Sequence, residues 1–136
     1  MFKTSGGKYV APQVIENKLK ESRFIEQVMV IGNARKFPAA LVVPSEEFIT
    51  LCAKKKDIPH KRYADLLSDK TLINRIIGEV ESFNQNFGKW EQVKKVKVLT
   101  DQWSVDTGEL TPTLKLKRKV INEKYKDEIE QIYAES

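Results

Sequence analysis

The chain has 136 residues, 40% of them hydrophobic, and carries 24 Lys and Arg against 19 Asp and Glu, for a formal net charge of +5. That length supports one compact core and falls short of the size at which a second is expected. The single cysteine, Cys52, excludes an intrachain disulfide and a cysteine-built zinc site, which fits a reducing, cytoplasmic setting. No run approaches the roughly 20 apolar residues of a transmembrane helix, and MFKTSGGKYV lacks the apolar core of a signal peptide, so a soluble chain is expected. Positive charge favours an anionic partner such as a nucleotide, CoA, nucleic acid or a membrane surface, without choosing among them.

In chain order, KTSGGKYVAPQVIENKLKES opens with a turn at Gly6 and Gly7 and continues through an extended Lys8 to Ala11. Pro12 suits the first turn of a helix running to about Ser22, with Val14, Ile15, Leu19 and Ser22 on the buried face and Glu16, Asn17, Lys18 and Lys20 towards water. Two β-branched runs, Ile25 to Ile31 and Ala39 to Val43, flank the Gly32 to Pro38 turn and predict a hairpin. Ser45 is placed to cap a helix from Glu46 to about Lys55. A longer helix is expected from Ser68 or Asp69 to Phe87, with Leu72, Ile73, Ile76, Ile77, Val80 and Phe83 inward. VKKVKVLTD alternates Val93, Val96 and Val98 with lysines and supplies another strand, and Leu114, Ile121, Tyr125, Ile129 and Ile132 mark a last helix. The elements lack a regular βαβ rhythm, so the expected class is α+β: a small, largely antiparallel sheet with packed helices.

Two stretches hold residues suited to chemistry. In GELTPTLKLKRKV, residues 108–120, Thr111 or Thr113 is expected to cap the last helix and Pro112 to fix its entry, leaving Lys115 in the loop or first turn. Unpaired N–H groups there favour anions and disfavour cations, so Lys115 with Lys117, Arg118 and Lys119 points to an anionic ligand; a solvated basic face is the alternative. In TSGGKY, two glycines permit close backbone approach or positive φ, and Ser5, Lys8 and free N–H groups could hold a phosphate. Neither a GxxxxGK[ST] nor a GxGxxG pattern is present, so a plain turn is the alternative. His60 reads as a surface residue, Cys52 as packing, and Trp90 and Trp103 as core or rim aromatics; no catalytic triad or metal site can be argued.

Taken together, KTSGGKYVAPQVIE, the VMVIGNARKFPAALVVP hairpin and GELTPTLKLKRKVI, in that order, resemble the C-terminal domain of the AMP-forming acyl-CoA synthetases, in their long-chain fatty-acid CoA ligase branch. The resemblance covers nearly the whole chain and implies one C-terminal lid domain over residues 1–136. It implies a two-step ligase in which fatty acid and ATP give an acyl-adenylate and pyrophosphate, and CoA then displaces AMP. A large N-terminal domain, absent from this sequence, would bind most of the ATP, the fatty acid and magnesium. The lid alone is expected to be inactive, and Phe2 would fall just after the family's hinge. By motif, Lys115 matches the lysine that reaches the reacting carboxylate and the α-phosphate. Ser5, Gly6, Gly7 and Lys8 match the turn that enters the site for thioester formation, with Tyr9 along the same face, where small residues leave room for the pantetheine arm of CoA. Many relatives carry Ser-Gly before the lysine where this chain has Thr113 and Leu114. Peripheral membrane contact is left open by the resemblance.

Two rival readings belong to other classes. A nucleic-acid-binding module needs a concentrated basic surface, and Glu123, Asp127, Glu128 and Glu130 interrupt the last helix, so no nucleic-acid partner is expected. A non-catalytic interaction domain that keeps a ligase-like fold is the other.

Overall fold

The computed structural model describes residues 1–55, 63–67 and 69–134; His60 and Ser68 lie outside the described residues. The chain divides into two compact units, Met1–Thr100 and Asp101–Ser136.

In the first unit the order is β1 (Phe2–Lys3), β2 (Tyr9–Val10), α1 (Pro12–Leu19), β3 (Ile25–Ile31), β4 (Ala39–Pro44), α2 (Glu46–Lys55), α3 (Tyr63–Leu66), α4 (Lys70–Asn84) and β5 (Lys95–Val98). The strands β3 and β4 form the expected hairpin, antiparallel with Met29 opposite Leu41 and a register irregularity between Ile25 and Gln27. The remaining strand, β5, pairs with β4 in parallel, Ala40 opposite Val96. A parallel return needs a crossover, and the α2–α4 segment supplies it. The α+β class therefore stands, with β1–β2 and β3–β4 antiparallel and one parallel edge.

Residues Ala39 to Val43 of β4 are all fully buried. A strand covered on both faces reads as an unbroken apolar run, as AALVV does. Around it gather Ile15, Leu19, Val28, Val30, Ile49, Leu72, Ile76 and Val80 from the neighbouring strand and helices. Ser45 Oγ accepts the Phe48 amide at 3.4 Å at the start of α2, and Asp69 Oδ1 accepts the Thr71 and Leu72 amides at 3.0 and 3.2 Å at the start of α4, so both helices begin at side-chain caps. At its other end, Asn84 exchanges hydrogen bonds with the Val93 backbone at 2.8 and 2.9 Å and leads the chain into β5.

The face of α1 differs from the expected one. Its buried residues are Pro12, Ile15, Glu16 and Leu19, a stripe at spacings of three and four, whereas Val14 lies off that stripe and is 60% exposed. Glu16 faces inward because its Oε2 accepts the Val30 amide of β3 at 2.7 Å. A buried carboxylate is tolerated where a hydrogen bond replaces water. Substituting Glu16→Leu strands that amide and should cost about 1–3 kcal/mol, while Glu16→Gln, which keeps an acceptor, should cost less. Chemical denaturation of the two variants measures the difference.

The second unit contains α5 (Arg118–Lys124) and α6 (Lys126–Ala134), a single expected helix broken at Tyr125. Ile121, Tyr125, Ile129 and Ile132 are buried as expected, but Leu114 precedes the helix and is 61% exposed.

Candidate functional site

The first motif closes the β1–β2 hairpin, in which Phe2 faces Val10 and Lys3 faces Tyr9. Within the turn the Thr4 amide donates to the Lys8 carbonyl at 2.9 Å and the Gly7 amide to the Thr4 carbonyl at 3.0 Å. The Lys8 amide donates to Thr4 Oγ1 at 3.2 Å. Gly7 takes φ +85°, a left-handed conformation that glycine adopts at little cost. The turn is seated on the loop after β3, where the Ser5 amide donates to the Arg35 carbonyl at 2.8 Å and the Ala34 amide to the Lys3 carbonyl at 2.9 Å.

Gly6 is different. It has no left-handed φ, and the nearest atom to a Cβ built there is Thr4 Oγ1 at 3.9 Å. Nothing among the described residues of this unit requires a glycine at that position. Ser5 to Tyr9 are all exposed. Beside the turn, the Lys3 ammonium lies 5.6 Å from the centre of the Tyr9 ring and the Lys8 ammonium 5.7 Å from that of Trp90, within cation–π range. Trp90 is a rim aromatic, 48% exposed.

The second motif forms another hairpin turn, joined by an antiparallel bridge between Leu110 and Leu116. Here the Thr111 amide donates to the Lys115 carbonyl at 2.8 Å and the Leu114 amide to the Thr111 carbonyl at 2.7 Å. The Lys115 amide donates to Thr111 Oγ1 at 3.0 Å. Thr111 therefore holds a turn and does not cap a helix, contrary to expectation: α5 starts at Arg118, and its N-cap, Lys117, supplies no side-chain bond. Lys115 sits in the turn, outside the first turn of α5, so the helix-dipole argument does not reach it. Leu114 adopts φ +63°. The departure from Ser-Gly thus keeps the left-handed backbone a glycine would take, at a cost of roughly 1–2 kcal/mol. Lys115 is exposed, and its Nζ has no hydrogen bond or ion pair among the described residues.

Below this turn lies a charge that sequence reasoning missed. Glu109 is fully buried; its Oε1 accepts the Thr107 hydroxyl, its Oε2 lies 3.2 Å from Lys124 Nζ, and its carbonyl accepts the Lys117 amide at 2.8 Å. The chain leaving the turn is so tied to the residue entering it. Nearby, Trp103 Nε1 donates to the Tyr125 hydroxyl at 3.0 Å, which donates to Asp101 Oδ2 at 2.9 Å. Trp103 is thus a core aromatic of its unit. Cys52 is half-buried against the core of the first unit, as expected of a packing residue.

A family model described as the AMP-binding enzyme C-terminal domain matches residues 2–136. The chain belongs to this family. As an AMP-binding enzyme C-terminal domain it is 38% identical over 131 residues to the long-chain-fatty-acid–CoA ligase FadD15 of Mycobacterium tuberculosis, covering 96% of this chain and 22% of that one. It is also 38% identical over 137 residues to long-chain-fatty-acid–CoA ligase 6 of Homo sapiens, covering 98% of this chain and 20% of the relative. Among solved structures, the adenylation domain of a carboxylate reductase from Mycobacterium chelonae superposes with a TM-score of 0.78 at 25% identity, over 98% of this chain and 19% of that one. The chain spans about a fifth of the length of the curated relatives it matches. The comparisons give no support to a nucleic-acid-binding module.

Among the described residues no three His, Cys, Asp or Glu side chains come together as a metal site. No described helix is long and apolar enough to cross a membrane.

Burial is the main cause that raises the Tyr125 phenol above its ordinary value of 10.0; the Trp103 hydrogen bond opposes it, and the bond to Asp101 adds to it. The folded chain therefore favours the neutral phenol. Its contribution to stability is fully present below pH 10 and is lost as pH rises towards the higher folded value. Alkaline ultraviolet titration should show one tyrosine ionising well after the ordinary range, a step that Tyr125→Phe removes.

Proposed function

We propose that this chain is the C-terminal domain of an AMP-forming long-chain fatty-acid CoA ligase, residues 1–136 acting as one mobile lid beside a large N-terminal domain that binds ATP and fatty acid. The observation that carries the reading is Lys115: an exposed ammonium without a partner among the described residues, on a turn whose backbone is fixed by Thr111 and whose base is tied by Glu109. The relatives' names supply the substrate class.

In the first half-reaction a fatty-acid carboxylate oxygen attacks the α-phosphorus of ATP and the bond to pyrophosphate breaks. Negative charge gathers on the phosphoryl oxygens, and Lys115 neutralises it there as a compact cation. In the second, the CoA thiolate attacks the acyl carbonyl and AMP leaves with the electron pair of the broken C–O bond. The Ser5–Tyr9 turn lines the entry for CoA. Gly6 supports this reading, since its lack of a side chain answers no demand among the described residues and leaves room for a narrow arm. Lys8 and Tyr9 lie along the same edge, where an ammonium suits the CoA phosphates.

Two assays on the full-length enzyme carrying this chain test the assignment. In Lys115→Ala, fatty-acid-dependent ATP–pyrophosphate exchange should fall on the order of 100-fold while capture of a supplied acyl-adenylate by CoA survives. Survival of both activities would falsify the role of Lys115. Gly6→Val should do the reverse, slowing capture at unchanged thermal stability; an unchanged capture rate removes Gly6 from the CoA path.

A further inference from the structure

The two turns follow one pattern. In Thr4-Ser5-Gly6-Gly7-Lys8 and in Thr111-Pro112-Thr113-Leu114-Lys115 the first residue is Thr, the fourth has a left-handed backbone at φ +85° or +63°, and the fifth is Lys. The bonds match as well. The Thr amide donates to the Lys carbonyl at 2.9 or 2.8 Å, and the fourth amide takes the Thr carbonyl at 3.0 or 2.7 Å. The lysine amide in each turn has the Thr hydroxyl as its acceptor, at 3.2 or 3.0 Å. The sequences share no Gly or Pro at equivalent positions, so the common features are the hydroxyl, the left-handed fourth residue and the lysine.

We propose that Thr4 and Thr111 are matched positioning residues, one for each half-reaction. Each hydroxyl holds the amide of its lysine and so fixes the direction in which that side chain leaves the turn. A β-branched residue suits the task, because threonine has few side-chain rotamers and its hydroxyl is already aimed. The inference rests on the roles assigned above to the two turns. In this reading each threonine acts through its lysine and not on substrate. The effect of each is transmitted through the backbone of Lys8 or Lys115, where a displacement of about 1 Å is worth up to 100-fold in rate.

The test uses the full-length enzyme carrying this chain, with Val and Ser at each position and Lys115→Ala and Gly6→Val as references. Thr111→Val should lower ATP–pyrophosphate exchange by about 10- to 100-fold and leave capture of supplied acyl-adenylate unchanged, and Thr4→Val should do the opposite. Serine, which keeps the hydroxyl, should restore each rate to within a few-fold; Thr→Ala replaces any Val variant that does not fold, with the same expectation. If the valine variants depress both half-reactions alike, or neither, the threonines are merely structural and the proposal falls. When Lys115→Ala or Gly6→Val loses its half-reaction but the matching threonine variant does not, positioning alone is wrong. Should a reference variant keep its half-reaction, the role of that turn is wrong, and the proposal for its threonine falls with it.

Discussion

Two-sided burial of β4 governs the first unit. Five successive residues, Ala39 to Val43, are sealed from solvent, so both faces of that strand must be covered. The hairpin partner β3 occupies one edge and the parallel β5 the other, and the helices supply the cover. Even the inward carboxylate of Glu16 serves this arrangement, by meeting a β3 amide. The Ser5–Tyr9 turn inherits its place from it, because the amide of Ser5 is held by the loop that joins β3 to β4. An exposed loop is thus mounted on the most buried part of its unit, the usual relation between a binding loop and its scaffold.

The second unit solves the same problem with fewer residues and a buried ion. Glu109 enters the turn, Lys117 leaves it, and the carbonyl of one accepts the amide of the other. The side chain of Glu109 is held in turn by Thr107 and Lys124. A buried carboxylate with these partners contributes little net stability but penalises alternative arrangements, since removing a partner leaves an uncompensated charge. Lys115 projects from this frame with its ammonium unengaged among the described residues, as the role proposed for it requires.

Much of this was legible in the sequence, and the failures have physical causes. Unbroken and alternating β-branched runs mark β3, β4 and β5, and Ser45 and the pair Ser68 or Asp69 mark helix starts, because those signals are local. The direction of β5 was not legible: an alternating strand has the same pattern read either way, and the choice is made by the crossover. Val14 reads as buried because a short helix of mixed residues has several plausible stripes, and the β3 amide helps select the one containing Glu16. Leu114 stands seven residues before Ile121, a helical interval, yet the Thr-Pro-Thr-Leu turn places it outside the helix. Thr111 read as a cap because hydroxyls serve helix starts and turns by the same bond to an amide. Glu109 carried no mark of burial, since an acid beside a glycine reads as surface. Motif resemblance alone points to Lys115 and Ser5–Tyr9 as candidate site residues; what the structure adds is the common build of their turns.

The central claim is that one small domain offers two such turns to two successive steps. Thiol labelling of Thr113→Cys and Ser5→Cys, both at exposed positions, in an otherwise cysteine-free full-length enzyme tests it directly. ATP with fatty acid should slow labelling at Thr113→Cys and leave Ser5→Cys open, and a stable acyl-adenylate analogue with CoA should reverse that order. Equal protection of both positions in either state would contradict the account.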